Sequence, residues 1–315
     1  MDEIKSLGSE AARAAWLYYL EDLTQGEIAQ EMGVSRSTVT RLLQRAKSDG
    51  LVQVSLKVPS GIFQAERDLE RAFGLDRARI VPNSGNDAMQ KRWLGHVAAE
   101  VMVSLVSTRA IVAIGWGSTM QSLADALAGQ QPVADAQIVA LVGGFHSAVA
   151  GTNTNEVARQ VGHYFQAPAF PLLAPVYVQD AVTARGLSNE PGIRGALQLA
   201  REASMVVFSV GAMHEDTTMM KLGHLTAAQK SFLAERGAVG DIACRWLDRQ
   251  GDPVEMPPSI HPIGISLEEL RTIPTRLTVA GGDSKREIVL ACLRGGFATS
   301  LVTDERLARF LLQQR

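Results

Sequence analysis

TRLTVAGGDSKREIVLACLRGGFATSLVT, residues 275–303, contains the unit on which the fold is read. An apolar run, TRLTVAGG, ends in two glycines. A helical stretch follows from Lys285 to Leu293, and a second apolar run, ATSLVT, closes the unit. Near-continuous apolar strands alternating with helices point to a parallel sheet covered on both faces. The same alternation recurs upstream in ARIVP, AIVAIG, AQIVALVGG and MVVFSVGA. Helical stretches lie between several of these runs, at Asp87 to Val106, Met120 to Leu127 and Glu156 to Tyr164. Residues 76–315 are therefore expected to form a doubly wound α/β domain with a mostly parallel sheet. No internal repeat and no low-complexity segment interrupts it.

The first 58 residues read differently. Ala11, Ala15, Leu17 and Leu20 give an apolar stripe at helical spacing. Thr24 precedes Glu27 by three residues, the spacing of a capping box, so a second helix is expected from there to about Met32. Gly33 breaks it, Ser35 opens a third helix, and Gly50 stops that one near Asp49. The alternating stretch LVQVSLKV reads as a strand, Pro59-Ser60-Gly61 as a hinge, and residues 59–75 as a linking helix centred on Phe63 to Phe73.

Composition sets outer limits. The length of 315 residues fits about two domains of roughly 100–200 residues each. The net charge of −2 gives no overall attraction to nucleic acid or membrane, so any DNA contact must come from a local basic face. Cys244 and Cys292 have neither metal-like spacing nor the count of a disulfide framework, which fits a reducing compartment. The polar, acidic MDEIKSLGSE is not a signal peptide, and no apolar run approaches the ~20 residues of a membrane span. A cytoplasmic protein is expected.

The segment Gln25 to Gln44, QGEIAQEMGVSRSTVTRLLQ, carries the sharpest local signal. Ile28, Met32, Val34, Val39 and Leu42 fall where two crossing helices pack. Ala29 is small where the helices approach, and Gly33 sits where the turn calls for positive φ. This is helix-turn-helix chemistry. The first 60 residues hold seven basic and eight acidic side chains, yet no acid lies between Ser35 and Lys47. Positive charge is thus focused on one helix, as docking in a major groove requires. Arg36, Ser37, Thr40, Arg41 and Gln44 are expected to face base edges, where Arg suits guanine and Gln adenine. Thr38, Arg45 and Lys47 are expected to hold phosphates. The bland alternative is a three-helix bundle with a solvated basic face.

The chain resembles the SorC (sorbitol-operon regulator) family of sugar-binding transcriptional regulators. The likeness lies in ARAAWLYYLEDLTQGEIAQEMGVSRSTVTRLLQRAKSDGLV, IVAIGWGSTM at 111–120, LVGG at 141–144 and TNEVARQ at 154–160. It continues in GDIACRW at 240–246 and VAGGDSKREIVLACLRGGFATSLVTDE at 279–305. The resemblance implies an effector domain related in fold to sugar-phosphate isomerases and deaminases. It also implies homo-tetramers, dimers of dimers, that bind double-stranded operator DNA and respond to a small sugar, polyol or sugar phosphate.

Two loops are candidates for the effector site. Gly115-Trp116-Gly117-Ser118-Thr119 follows a strand and opens a helix, where backbone N–H groups and the helix dipole favour an anion. A plain tight turn explains the same residues. Gly281-Gly282-Asp283-Ser284-Lys285 repeats the arrangement with a full positive charge. Ligands in open α/β sheets sit beyond the carboxyl ends of strands, so both loops, with Gly143 and Gly144, are expected to converge on one crevice. By resemblance, Thr119 and Lys285 hold the phosphate or its equivalent, and Asn155 and Asp241 bond ligand hydroxyls. Asn155 reads equally as a helix cap before Glu156, and Asp241 as the organiser of a turn. Thr303 and Asp304 fall near the same rim. His146 follows the glycine pair and is a further candidate for the pocket lining. The LVGG strand end has no lysine, so no covalent imine is expected there. The six histidines have no metal-ligand spacing, and neither a metal nor a cofactor is expected. An isomerase- or deaminase-like enzyme is the alternative function, with Asp241 as its acid–base group. A purely architectural DNA-binding protein leaves the α/β residues unexplained.

Overall fold

The computed structural model describes residues 10–21, 23–48, 51–52, 61–128, 135–145, 153–214 and 218–314, with backbone alone for Lys47, Ser48 and Thr218. LVQVSLKV from its third residue, Pro59-Ser60 of the expected hinge, and His146 lie outside these residues. The chain divides into two compact units, Met1–Pro59 and Ser60–Arg315.

The first unit packs three helices: α1 (Glu10–Tyr19), α2 (Gln25–Met32) and α3 (Arg36–Ser48). Ala11, Ala14, Ala15, Leu17, Ile28, Val39, Leu43 and Ala46 are its core, with Met32, Val34 and Leu42 partly buried against them. Leu20, expected on the buried stripe, is 64% exposed; α1 ends at Tyr19, so its helical period does not reach Leu20, and Ala14 takes the inward place. Thr24 and Glu27 form the capping box of α2. Gly33 closes α2 at φ 68°, in the left-handed region that glycine enters cheaply. Ser35 Oγ accepts the Thr38 N–H (3.1 Å) and so starts α3.

The second unit opens with α4 (Ile62–Phe73), β1 (Arg77–Val81) and α5 (Asp87–Leu105), then β2 (Ile111–Ile114) and α6 (Ser118–Ala126). β3 (Gln137–Ala140), α7 (Thr154–Phe165), β4 (Ala169–Phe170), β5 (Tyr177–Val178), α8 (Ala181–Asn189) and α9 (Pro191–Arg201) follow. Next come β6 (Met205–Phe208), β7 (Val210–Ala212), α10 (Thr218–Lys221), α11 (Ala227–Glu235), β8 (Gly240–Ile242), β9 (Arg245–Leu247) and β10 (His261–Pro262). The chain closes with α12 (Leu267–Thr272), β11 (Thr275–Val279), a 3₁₀ turn at Asp283–Lys285, α13 (Arg286–Arg294), β12 (Ser300–Asp304) and α14 (Glu305–Leu312).

Seven strands form one sheet in the order β1-β12-β11-β6-β2-β3-β4, with every pairing parallel. Its two faces carry two separate cores, one around Phe208, Leu301 and Trp246, the other around Ile114, Val279 and Leu94. Burial on both sides explains why the strands read as continuous apolar runs. One such run divides: in MVVFSVGA, Ser209 separates β6 of the main sheet from β7. β7 joins β8 and β9 in a three-stranded antiparallel sheet, an arrangement the parallel reading did not include.

Helix α4, expected as a linker, packs on the α/β unit through Ile62 and Leu69. It also finishes the sheet. β1 is an edge strand, and its outward N–H groups at Ala78 and Ile80 donate to Glu70 Oε1 (2.9 Å) and Glu66 Oε1 (2.9 Å). Carboxylates four residues apart on a helix thus meet N–H groups two residues apart on a strand, closing an edge otherwise open to another chain. On the opposite flank, α5 and α6 cross at Gly95. A Cβ there would stand 2.5–2.7 Å from the backbone of Ser122 and Leu123. Gly95→Ala is expected to destabilise the unit by about 1–3 kcal/mol through overpacking, read as a lower thermal midpoint; an unchanged midpoint would show that the helices part freely.

Candidate functional site

The strand order reverses between β2 and β6. From β2 the chain winds outward through β3 to β4; from β6 it winds the other way through β11 to β12. Loops leaving the carboxyl ends of β2 and β6 therefore part, and a crevice opens between them. A cavity of about 200 Å³ lies there. Trp116 to Thr119 line it from the end of β2, Ser209 to Ala212 from the end of β6, Ser284 and Lys285 from beyond β11, and Asp241 from β8.

Two helix N-termini border the cavity. Gly117, at φ 104°, precedes α6, and Gly282, at φ 93°, precedes the 3₁₀ turn that leads into α13. Neither has a side chain that caps its helix. First-turn N–H groups left uncapped, with the helix dipole behind them, favour an anionic or polar partner nearby. Lys285 Nζ donates to Ser209 Oγ (3.1 Å). Burial, then the nearby Lys91, pushes the Lys285 ammonium down to about 8, while Asp241 works the other way.

Asp241 is 3% exposed. Its Oδ2 accepts the Cys244 N–H (3.1 Å), across a hairpin whose two turn residues, Ala243 and Cys244, have φ 50° and 65°. Positive φ in both suits the twist of a two-residue hairpin but strains non-glycine residues. Asp241 thus orders the turn, one of the two readings of the sequence, and its side chain also lines the cavity. Burial pushes its carboxyl up to about 6, against the lowering effects of the Cys244 N–H and then Lys285. Gly211 faces it on β7, and a Cβ there would collide with Asp241 Oδ1.

Other expected residues do not join this cavity. Gly115 donates its N–H to Val207 O (2.8 Å), and a Cβ would press on Phe208 at 3.0 Å, so the glycine serves strand packing. Gly143 and Gly144 extend β3, one strand beyond the reversal. Their N–H groups donate to Ile263 O (2.8 Å) and Ala174 O (2.7 Å), and a Cβ at Gly143 would lie 2.6 Å from Pro175 O. Gly143 is a glycine because backbone passes against backbone, whereas a Cβ at Gly144 would press on the Asn155 side-chain amide at 3.2 Å. Asn155 is neither in the cavity nor a helix cap. Its side-chain Oδ1 accepts the Leu172 N–H (2.9 Å) and its Nδ2 donates to Leu172 O (3.2 Å), while Asn153 caps α7. Asp304 spends its two oxygens on the N–H groups of Leu307 and Gly282, holding the second loop in place; Thr303 is fully buried. The lining residues missed in the sequence are Ser209, Val210, Gly211, Ala212, His214 and Met219, while Trp116 and Ser284 belong to the two expected loops. Ser209 and Gly211 follow a strand end, and that position was the available signal.

In the first unit, Arg36, Ser37, Arg41, Gln44 and Arg45 are exposed on α3. Lys47 is on the same helix; its side chain lies outside the described residues. Thr38 and Thr40 are half-buried rather than outward. Thr38 Oγ1 lies 2.9 Å from Ser35 Oγ within the cap, and Thr40 Oγ1 donates to Gln25 Oε1 (3.0 Å) of α2. Among the described residues, no group of three or more His, Cys, Asp and Glu side chains is placed to hold a metal ion, and no helix is long and apolar enough to cross a membrane.

A helix-turn-helix unit and a switch-point cavity in an α/β unit define a metabolite-sensing DNA-binding regulator. Residues 58–313 match the family described as "Putative sugar-binding domain", and residues 3–49 match sigma-70 region 4. The chain is 32% identical over 313 residues to the transcriptional regulator LsrR of Escherichia coli K12, covering 96% of this chain and 94% of that protein. It is 31% identical over 306 residues to LsrR of Klebsiella pneumoniae, covering 96% and 92%. The full-length sorbitol operon regulator SorC of Klebsiella pneumoniae has the same fold, with a TM-score of 0.74 at 22% identity over 99% of this chain and all of that one. A DeoR family transcriptional regulator from Listeria monocytogenes gives a TM-score of 0.73 at 25% identity, over 80% of this chain and all of that one. The chain belongs to the SorC family of sugar-binding transcriptional regulators.

The two thiols offer a check on the hairpin beside the site. Cys244 and Cys292 are both fully buried. Burial pushes Cys244 well above the ordinary thiol range and Cys292 up to about 12. Neither should react with a disulfide reagent in the native chain, and both should react after unfolding in guanidinium. Fast native labelling of Cys244 would mean that the turn held by Asp241 opens readily.

Proposed function

We propose that this chain controls a carbohydrate or polyol operon as a homo-tetramer in the cytoplasm. In this reading α3 docks on operator DNA and a small sugar, polyol or sugar phosphate occupies the switch-point cavity. The supporting observation is the pairing of one ammonium, one carboxylate, several hydroxyls and two uncapped helix N-termini around a small closed space. Lys285, Thr119 and the helix N-termini hold the anionic or most polar end of the ligand. Asp241 accepts from its hydroxyls, and Gly211 leaves room for that carboxylate. Arg36, Ser37, Arg41 and Gln44 reach base edges, and Arg45 and Lys47 hold phosphates. The protein acts as a sensor rather than an enzyme. Incubation with aldose and ketose phosphates tests that point, and turnover at enzymatic rates would overturn it.

A thermal-shift screen of sugars, polyols and their phosphates identifies the effector, since a ligand that binds only the folded state raises the midpoint. For the binder so found, pH dependence follows from the two shifted groups. Asp241 must be ionised to accept hydroxyls, so affinity falls as pH drops through about 6. Lys285 must be protonated to hold an anion, so affinity falls as pH rises through about 8. Binding should peak near neutrality, Lys285→Met should remove the alkaline limb with most of the affinity, and Asp241→Asn should flatten the acid limb. A flat profile in the unsubstituted chain would remove both residues from the site.

On the DNA side, Arg41→Ala should lower operator affinity by about 1–3 kcal/mol with the thermal midpoint unchanged, because Arg41 is exposed and outside the three-helix core. Unaltered operator affinity in that variant would exclude Arg41 from the interface.

A further inference from the structure

Beside the switch-point cavity stands an ion pair that the effector reading leaves unused. Lys91 Nζ lies 2.6 Å from Asp87 Oδ2, one turn apart at the start of α5. Helices α5 and α6 leave the carboxyl ends of β1 and β2, so both run back from the same edge of the sheet. They cross at Gly95, where a Cβ would meet the backbone of Ser122. About one turn nearer that edge stand Lys91 on α5 and Ser118 on α6. Leu94 packs on the other loop, since a Cβ at Gly281 would lie 2.8 Å from its Cδ1. Lys91 is therefore placed beside both loops that border the cavity, although it does not line the cavity itself. Its charge is felt inside. After burial, Lys91 has the largest effect on the Lys285 ammonium, ahead of the opposing effect of Asp241, which shares the cavity.

We propose that Lys91 is a second cation of the effector site, held by Asp87 until a phosphomonoester dianion seated against Lys285 and the start of α6 takes it over. Lys285 and Asp241 offset each other within the cavity, so a dianion placed there lacks a full countercharge. Lys91 supplies one more. The exchange costs little. The Lys91 side chain is 34% exposed and that of Asp87 82%, and an ion pair so open to solvent stabilises weakly. The released carboxylate is left in water. A lysine, with a flexible stem and a compact charge carrying three donors, is suited to changing partners. The proposal deepens the effector reading and rests on it: it names a phosphate ester, rather than a free polyol, as the ligand class.

A helix-stabilising pair with no part in ligand binding is the alternative, and its two partners separate the cases. Inorganic phosphate, which brings the dianion together with a hydroxyl donor for Asp241, is titrated at neutral pH into the full chain and its variants. Binding is read by calorimetry and by the rise in thermal midpoint. Lys91→Met should weaken phosphate binding about tenfold or more, the scale of a lost hydrogen bond to a charged group. Asp87→Asn should tighten it severalfold, because no carboxylate then competes for Lys91. That gain should vanish when Lys91→Met is already present. A gain that persists there would belong to the general field of Asp87 and would overturn the exchange. Phosphate binding that Lys285→Met weakens but Lys91→Met leaves unchanged would overturn the proposal and keep the effector site. Absence of phosphate binding in the unsubstituted chain would overturn the proposal together with the anionic reading of the cavity. Midpoints without phosphate confirm that each variant is folded.

Discussion

The reversal of winding between β2 and β6 is the constraint on which the effector half depends. All seven strands of the main sheet run parallel, so all their carboxyl ends open on one edge. Crossover helices cover the two faces of the sheet rather than this edge. At the reversal, the chain leaving β2 turns away toward β3 and the chain leaving β6 turns toward the small antiparallel sheet. The gap is filled by loops, and their side chains line the cavity. The glycines at 117 and 282 permit the backbone to turn into helices without capping side chains, and the polar N-terminal groups remain available. One strand away, at Gly143, the space is instead filled by the backbone of Ala174 and Pro175.

Charge in the cavity is balanced rather than uniformly positive. Lys285 and Asp241 each moderate the other's shift, and burial acts on both. A cavity with only the lysine would favour any small anion. The buried carboxylate adds a cost to ligands that bring charge without hydroxyl donors, because its accepting oxygen would then face an anion with no proton between them. In the proposed site, selectivity for polyhydroxylated ligands would come as much from what Asp241 disfavours as from what Lys285 attracts. The hairpin at 240–247 holds that carboxylate, and two left-handed non-glycine residues in its turn are the strain accepted to place it.

What the sequence made legible follows from the range of the interactions involved. The capping box at Thr24 and Glu27, the turn at Gly33 and the apolar strands depend on neighbours a few residues away, so they could be read directly. Thr119, Lys285 and Asp241 were found because two loops carried strand-end glycines and the chain resembled a known family. The division of MVVFSVGA at Ser209 was not legible, since nothing in an apolar run marks where a strand changes sheets. Ala243-Cys244 lacks the asparagine or glycine that announces a hairpin, so the small sheet went unseen. Gly143, Gly144 and Asn155 show the opposite difficulty. A glycine that admits a ligand and one that admits another strand's backbone look alike in sequence, and only the partner distinguishes them. The same holds for Thr40, whose hydroxyl turns inward to Gln25 although its neighbours Arg36 and Arg41 face out.

A near-neutral chain that binds a polyanion must concentrate its attraction in a few places. The acid-free stretch from Ser35 to Lys47 is suited to this, and in the proposed complex its attraction would fall steeply with salt, as counterion release dictates. A coupling of about 1–3 kcal/mol between effector and operator changes affinity roughly 5–150-fold. The effector must supply that coupling by binding one arrangement of the protein better than the other, since equal binding to both shifts nothing. The cavity is suited to the task because its walls come from separate segments of the chain, the ends of β2 and β6, the loop after β11 and the hairpin of β8. A ligand that bridges Lys285 and Asp241 joins segments that the sheet alone leaves apart, and so favours whichever arrangement brings them together.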